Sequence, residues 1–323
     1  MSYKLKKDTK IYVAGHKGLI GSAFVRFFEE NNYTKLIVRN REDLELTSQS
    51  DTFDFFQKTQ PEVVILAAGK VGGIIANRDF PADFITQNLS IQLNVFNAAL
   101  KFNVKKLIFF GSSCMYPKVA NQPMSEDQLF TGHPEPTSIA YATAKYAGVQ
   151  MCQAINRQNN TVSFIPVIPN SAYGPNDNFD LNNSHVLSAL IRRFHEAKEQ
   201  NDPTITVWGS GNPKREFIHS DDIAGACLML LNRDLLQEEL PVNIGIGKDI
   251  SIKDLAERVK FISGYAGDII WDGAKPDGAP RKLLDNTRIK NMGWDSKLDF
   301  NSELEKTYQR YIDNKDDLKK NIC

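Results

Sequence analysis

No apolar run in this chain approaches the ~20 residues needed to cross a bilayer. The first residues, Met1-Ser2-Tyr3-Lys4-Leu5-Lys6-Lys7, lack the apolar core of a secretory signal. The expectation is a cytoplasmic protein with no membrane partner. An excess of charge is missing too: 39 Lys and Arg stand against 39 Asp and Glu. A net charge of zero removes the electrostatic footprint of a nucleic-acid binder, so an anionic ligand must be met by local cations. Cysteine is scarce. Cys114, Cys152, Cys227 and Cys323 have neither metal-ligand spacing nor the density of a disulfide framework. A reduced compartment and no metal are therefore expected. Cys152 and Cys227 lie in apolar stretches and read as small core residues. Only Cys114 sits where reactivity would be useful. Internal repeats and low-complexity tracts are absent.

What is present is a strand–helix rhythm in 323 residues, 41% of them hydrophobic. Short apolar runs at 11–14, 36–38, 63–68, 107–110, 162–168 and 242–246 read as strands buried on both faces. Helical patterns intervene at 22–30, 83–102, 139–157 and 186–198. The fold expected is α/β: a doubly wound parallel (Rossmann) sheet with a smaller C-terminal α/β substrate lobe. Residues 1–175 read as the dinucleotide-binding domain, with returning segments near 216–247, and 176–323 as mainly the substrate lobe. The stretches 71–83 and 116–137 read as loops, and 214–222 as the return to a helix.

The first strand runs into Gly15-His16-Lys17-Gly18-Leu19-Ile20-Gly21. Glycines between a strand and a helix permit a tight turn and close approach of backbone to a diphosphate, with the helix N-terminus favouring the anion. The second strand lacks the Asp or Glu at its end that commonly takes the ribose hydroxyls of NAD. Arg39 and Arg41 stand there instead, with Lys17 in the loop, and cations in that place suit the 2′-phosphate of NADPH. Asp43 nearby keeps NAD open. Ala67 and Ala68, at the exit of the third strand, let backbone pass close to a cofactor ribose.

The fourth strand opens into Gly111-Ser112-Ser113-Cys114, so hydroxyls and a thiol emerge at the carboxyl end of the sheet, where such folds place ligands. Tyr141 and Lys145 follow on one face of a helix at i, i+4 spacing. An ammonium one turn from a phenol is expected to pull its pKa down from ~10 toward working range. With Ser112 holding a carbonyl oxygen, the pair would move a proton at that oxygen while a hydride moves at its carbon. Tyr-x-x-x-Lys by itself also describes an ordinary amphipathic helix.

With the glycine loop, Ser112, Tyr141 and Lys145 together, the chain resembles the extended short-chain dehydrogenase/reductase family. The likeness runs from about residue 11 to 285 and includes Lys70-Val71-Gly72-Gly73-Ile74, Asn183-Ser184-His185-Val186 and Arg281-Lys282-Leu283-Leu284-Asp285. Its more selective features resemble members that act on GDP-4-keto-6-deoxy sugars. That resemblance implies an NADPH-dependent epimerase–reductase: inversion at C3 and C5, then reduction of the C4 ketone. Cys114 and His185 become the proton-shuttling pair, with ordinary pKa values of ~8.5 and ~6.5. The resemblance also carries Asn178, Arg193, Trp208, Arg215 and Lys282 onto the GDP-sugar, and implies a homodimer through helices 83–102 and 139–157. Adjacent Arg192 and Arg193 cannot both face the ligand. Asn170-Ser171-Ala172 departs from the family's Thr-Asn-Leu, which leaves room for another deoxy sugar, of the colitose or 6-deoxyheptose kind. A non-catalytic dinucleotide sensor is the reading from another class.

Overall fold

The computed structural model describes residues 4–159, 161–181, 184–233, 241–275 and 277–320, with side chains described to residue 315. Met1-Ser2-Tyr3, Asn182, Asn183, Pro276 and Cys323 lie outside the described residues. In chain order the first half runs β1 (Ile11–Ala14), α1 (Leu19–Glu30), β2 (Leu36–Ile37), α2 (Gln49–Thr59), β3 (Val63–Leu66), α3 (Ile74–Asp79), α4 (Pro81–Lys101), β4 (Lys106–Phe110) and α5 (Ile139–Gln158). The second half adds β5 (Ser163–Pro169), β6 (Ser171–Tyr173), α6 (Val186–Gln200), β7 (Thr204–Trp208), β8 (Lys214–Arg215), β9 (Phe217–His219), α7 (Ser220–Leu231), β10 (Val242–Ile244), β11 (Ile250–Ser251), α8 (Ile252–Ser263), β12 (Asp268–Asp272), β13 (Arg281–Lys282), α9 (Thr287–Asn291) and α10 (Phe300–Lys320).

Six parallel strands form one sheet in the order β10-β5-β4-β3-β1-β2. The chain leaves β1 toward β2, then returns to lay β3 on its other side, so the direction of winding reverses between β1 and β3. Ligands of open α/β sheets lie in that crevice. Alternate residues of each strand feed opposite cores. Ile11, Val13, Val63, Ile65, Ile108 and Phe110 pack with Phe24 and Phe28 of α1 and with α7. Tyr12, Ala14, Val64, Leu66, Leu107 and Phe109 pack with Phe56 of α2, Val95 and Phe96 of α4, and Val149 of α5. A strand covered on both faces reads as an unbroken apolar run, which is why these strands are visible in the sequence.

A third apolar cluster lies outside this sheet, among Leu187, Ile191 and Phe194 of α6, Ile205 and Val207 of β7, Leu255 and Val259 of α8, and Leu304 and Tyr308 of α10. Two expectations need correction. The stretch 74–79 is a helix, α3, held by Asn77 Nδ2 donating to the Gly72 and Gly73 carbonyls at 2.8 and 3.0 Å. The stretch 214–219 is two short strands, and the helix begins only at Ser220, because β8 pairs with β11 and β13 while β9 pairs with β6. Cys152 and Cys227 are fully buried, as core residues.

Candidate active site

The glycine loop is built by close approach. Gly15 has φ +80°, and a Cβ there would stand 2.7 Å from the Ala68 nitrogen; a Cβ on Gly21 would stand 2.1 Å from the Gly15 oxygen. The first contact ties the β1 exit to the β3 exit, and the second seats α1 against the turn. Gly18 caps α1 without a side-chain hydrogen bond, and no acid lies in the first turn. By contrast, Ser48 caps α2 and Ser251 caps α8, each with an aspartate in the first turn. The α1 terminus, at Leu19 and Ile20, therefore keeps its backbone N–H groups and positive dipole end for an anion. This geometry fits a dinucleotide diphosphate.

Arg39 follows β2 beside this loop: its backbone hydrogen-bonds the His16 ring, and its guanidinium lies 5.6 Å from the Phe55 ring centroid and donates to the Val38 carbonyl at 2.7 Å. Arg41 is paired with Glu45 at 2.8 Å. Lys17 is exposed, and its carbonyl accepts from Asn176 Nδ2 at 3.3 Å. Ala67 bonds back to the Ala14 carbonyl at 3.0 Å, which closes the β1–β3 crevice.

At the carboxyl end of β4, Ser112 starts a 3-10 turn over Ser113–Met115 and its hydroxyl accepts from the Cys114 backbone N–H at 3.2 Å. The same hydroxyl bonds the Tyr141 phenol and the Cys114 sulfur. Ser138, one turn before Tyr141, also bonds that sulfur. From the far side Lys282 donates to it, Nζ to Sγ 3.8 Å. Burial pushes the Cys114 thiol up, but the Lys282 ammonium and these hydrogen bonds outweigh it, leaving the thiol below its ordinary value. Arg215 adds a further positive field: its β8 position is the Cα partner of Lys282 on β13, and it interacts electrostatically with Cys114.

The lowering expected for the Tyr141 phenol is not what the fold produces. Burial raises the phenol well above its usual value, the Cys114 charge adds to that, and only the Ser112 hydroxyl opposes it. The Lys145 ammonium lies 5.8 Å from the Tyr141 ring centroid and 5.1 Å from that of Phe109, and burial lowers its own pKa to about 8. Desolvation acts on both groups and wins over a cation held against ring faces.

The remaining sequence candidates form a second group. Arg193 Nη1 donates to the Thr206 carbonyl at 3.4 Å, with its guanidinium 6.0 Å from the Trp208 ring, while Lys275 covers the same half-exposed indole at 5.4 Å. Arg192 turns away to Glu196, at 2.8 Å. Asn178 is exposed, its side-chain Oδ1 accepting from the Asp180 N–H at 2.9 Å. His185 is exposed at the N-cap of α6, where its charge partner is Asp177; no hydrogen bond joins it to Cys114.

Sequence reading missed Ser138, Asp277 and Glu216. Ser138 was visible in principle, three residues before Tyr141 at the N-cap of α5. Asp277 fixes the turn after β7 by accepting from Ser210 N and Oγ at 2.8 and 2.6 Å, and it faces Arg215. Its only signal was a lone acid among the basic residues of 275–282.

Comparison with known proteins gives the family. Residues 11–245 match the model of the NAD dependent epimerase/dehydratase family. The chain is 50% identical over 317 residues to GDP-L-fucose synthase 1 of Arabidopsis thaliana, covering 98% of this chain and 95% of that one. It is 45% identical over 314 residues to GDP-L-fucose synthase of Escherichia coli K12, covering 95% and 98%. Among solved structures, a GDP-6-OMe-4-keto-L-xylo-heptose reductase from C. jejuni superposes with a TM-score of 0.90 at 33% identity, covering 97% of this chain and all of that one. A GDP-L-fucose synthetase from Naegleria fowleri bound to NADP superposes with a TM-score of 0.89 at 28% identity, covering 98% and 96%.

Proposed function

Because the chain belongs to the NAD dependent epimerase/dehydratase family, we propose that it converts GDP-4-keto-6-deoxy-D-mannose to GDP-L-fucose by inversion at C3 and C5 followed by reduction at C4. The observation that carries this reading is the thiol. Reduction alone asks for Ser112, Tyr141 and Lys145; a cysteine held below its ordinary pKa beside them is what proton removal next to a ketone asks for.

Gly15, Lys17, Gly18, Leu19, Ile20, Gly21, Ala67 and Ala68 would hold NADPH in the crevice, with Arg39 and Arg41 for its 2′-phosphate, and the cofactor would supply the hydride. Ser112 and Tyr141 hold the C4 carbonyl oxygen, whose electron demand acidifies the protons on C3 and C5. Cys114 as thiolate takes one of those protons, and the negative charge moves onto the oxygen held by Ser112 and Tyr141. His185, presented by the α6 terminus, returns a proton on the opposite face. After both inversions Tyr141 gives its proton to the C4 oxygen as that carbon is reduced, and Lys145 steadies the phenolate left behind. Arg215 and Lys282 take the diphosphate and sugar, and Asn178, Arg193 and Trp208 the rest of the nucleotide sugar. The outer faces of α4 and α5 form a homodimer, and the enzyme works in the cytoplasm.

The test is to mix the protein, NADPH and GDP-4-keto-6-deoxy-D-mannose, follow NADPH absorbance, and read the product by NMR. A fucose-configured product supports the reading, and a product reduced but not inverted makes the chain a plain reductase. An inert mixture points to the dinucleotide sensor. Tyr141→Phe should lose reduction by about 10²–10⁴-fold. Cys114→Ser and His185→Gln should each lose inversion more than hydride transfer; equal losses of both would make the thiol structural.

A further inference from the structure

Glu216 is the single residue between β8 and β9 and is fully buried, next in the chain to Arg215, which interacts with Cys114. Its Oε2 accepts from Asn170 Nδ2 at 2.6 Å and from Leu284 N at 3.0 Å, and its Oε1 accepts from Gly247 N at 2.7 Å. The turn after β10 is bare where the carboxylate enters, since a Cβ on Gly245 would lie 2.6 Å from Oε1. Asn170 Nδ2 donates onward to the Lys282 carbonyl at 3.2 Å. One carboxylate thus grips Lys282 from both sides: through Asn170 at its own carbonyl, and directly at Leu284, two residues on.

We propose that Glu216, which touches neither the thiol nor the phenol, is the positioning residue that sets Lys282 and Arg215 against Cys114, with Asn170 as its second arm. This rests on reading Cys114 as the proton-transfer group. Arg215 and Lys282 are register partners, so a shift of β13 against β8 moves both cations relative to the sulfur. The interaction between Lys282 and the thiolate decays with distance, and at 3.8 Å it is still near its strongest. Burying a carboxylate is costly unless its hydrogen bonds are complete, and burial does push the Glu216 carboxyl up. Four donors, including the Ile246 N–H, are spent on holding it there.

The experiment is the pH profile of iodoacetamide alkylation at Cys114, read peptide by peptide by mass spectrometry in the wild-type chain, Glu216→Gln, Asn170→Ala and Lys282→Met. The groups facing the sulfur are Lys282, Arg215, Tyr141, Ser112 and Ser138; the first two variants keep all five, and Asn170→Ala also leaves every charge in place, so its shift reads the placement of the two cations. Both should shift the profile up by about one pH unit, short of the Lys282→Met shift, and slow alkylation at neutrality roughly ten-fold. NADPH affinity, measured by fluorescence titration, should stay within about two-fold of wild type. Profiles that coincide with wild type in folded variants would overturn the proposal. Should Glu216→Gln fail to fold, Asn170→Ala, which withdraws a single donor group, decides alone. Alkylation needs no sugar. A wild-type chain inert toward the GDP-sugar would therefore sink the proposed reaction and leave this result standing.

Discussion

The ammonium of Lys282 lies 3.8 Å from the sulfur of Cys114, a residue 168 positions earlier in the chain. Lys282 belongs to β13, which pairs with β8, and Cys114 to the turn after β4, so the contact joins the small sheet to the end of a strand of the large one. It makes the thiol the more acidic partner of a cluster whose phenol has been made less acidic. The cluster thus sets a thiol made easier to ionise beside a phenol made harder to ionise, the arrangement in which a base and an acid can act on one ketone.

Removing the cation should reverse that order. In Lys282→Met the thiol keeps its burial, its neutral hydrogen bonds and the field of Arg215 but loses the nearer ammonium, so its titration should move up by about 1–3 units. Exchange of solvent deuterium into the sugar, which follows proton removal without hydride transfer, should slow by about 10–10³-fold at neutrality. Unchanged exchange would mean that sulfur and ammonium are uncoupled.

Lys145 predicts a pH dependence of stability. Its folded pKa, about 8, lies below the ordinary 10.5. Between these values the unfolded chain binds more protons than the folded one, so this group's contribution to stability rises with pH across that window and is flat below it. The full effect is on the order of 3 kcal/mol. Urea unfolding of the wild-type chain and Lys145→Met from about pH 7 to 10 should show the rise only in the former. Parallel curves would place the lysine in water.

Arg39 should matter more than Arg41 to the 2′-phosphate. Arg41 already has Glu45 at 2.8 Å, whereas Arg39 is held by a carbonyl and a ring face beside the glycine loop. Arg39→Ala should raise KM for NADPH by about 10-fold, a charge-assisted contact being worth about 1.5 kcal/mol or more. KM for NADH should stay level. Parallel changes for the two cofactors would remove the phosphate role.

Gly21→Ala tests the cradle. The new methyl would meet the Gly15 oxygen at 2.1 Å, which is backbone and cannot swing aside. Overpacking of this kind costs about 1–3 kcal/mol. Thermal melting should fall accordingly, and NADPH affinity should drop further than stability alone explains. A variant with wild-type affinity would mean that the loop does not approach the diphosphate.

Strands of the large sheet were legible because burial on both faces leaves runs such as Leu107-Ile108-Phe109-Phe110 with no polar interruption. The glycine loop and the Ser112, Tyr141, Lys145 set were legible because their spacing is local: a turn, one strand end, one helical turn. The 74–79 helix was hidden by the glycines before it, and the strands of 214–219 by their length. Glu216 gave no sign of its place, since a carboxylate in a short segment looks the same exposed or buried.

Local order along the chain determined the sheet and the glycine turn, and put forward the phenol, hydroxyl and thiol as candidates, because each depends on residues within a few turns of one another. Only the tertiary structure decided which cation meets the thiol, which way the phenol's acidity moves, and that Glu216 grips the strand carrying Lys282. Those outcomes depend on burial and on contacts across more than a hundred residues, and desolvation there outweighs the neighbour that spacing alone would favour.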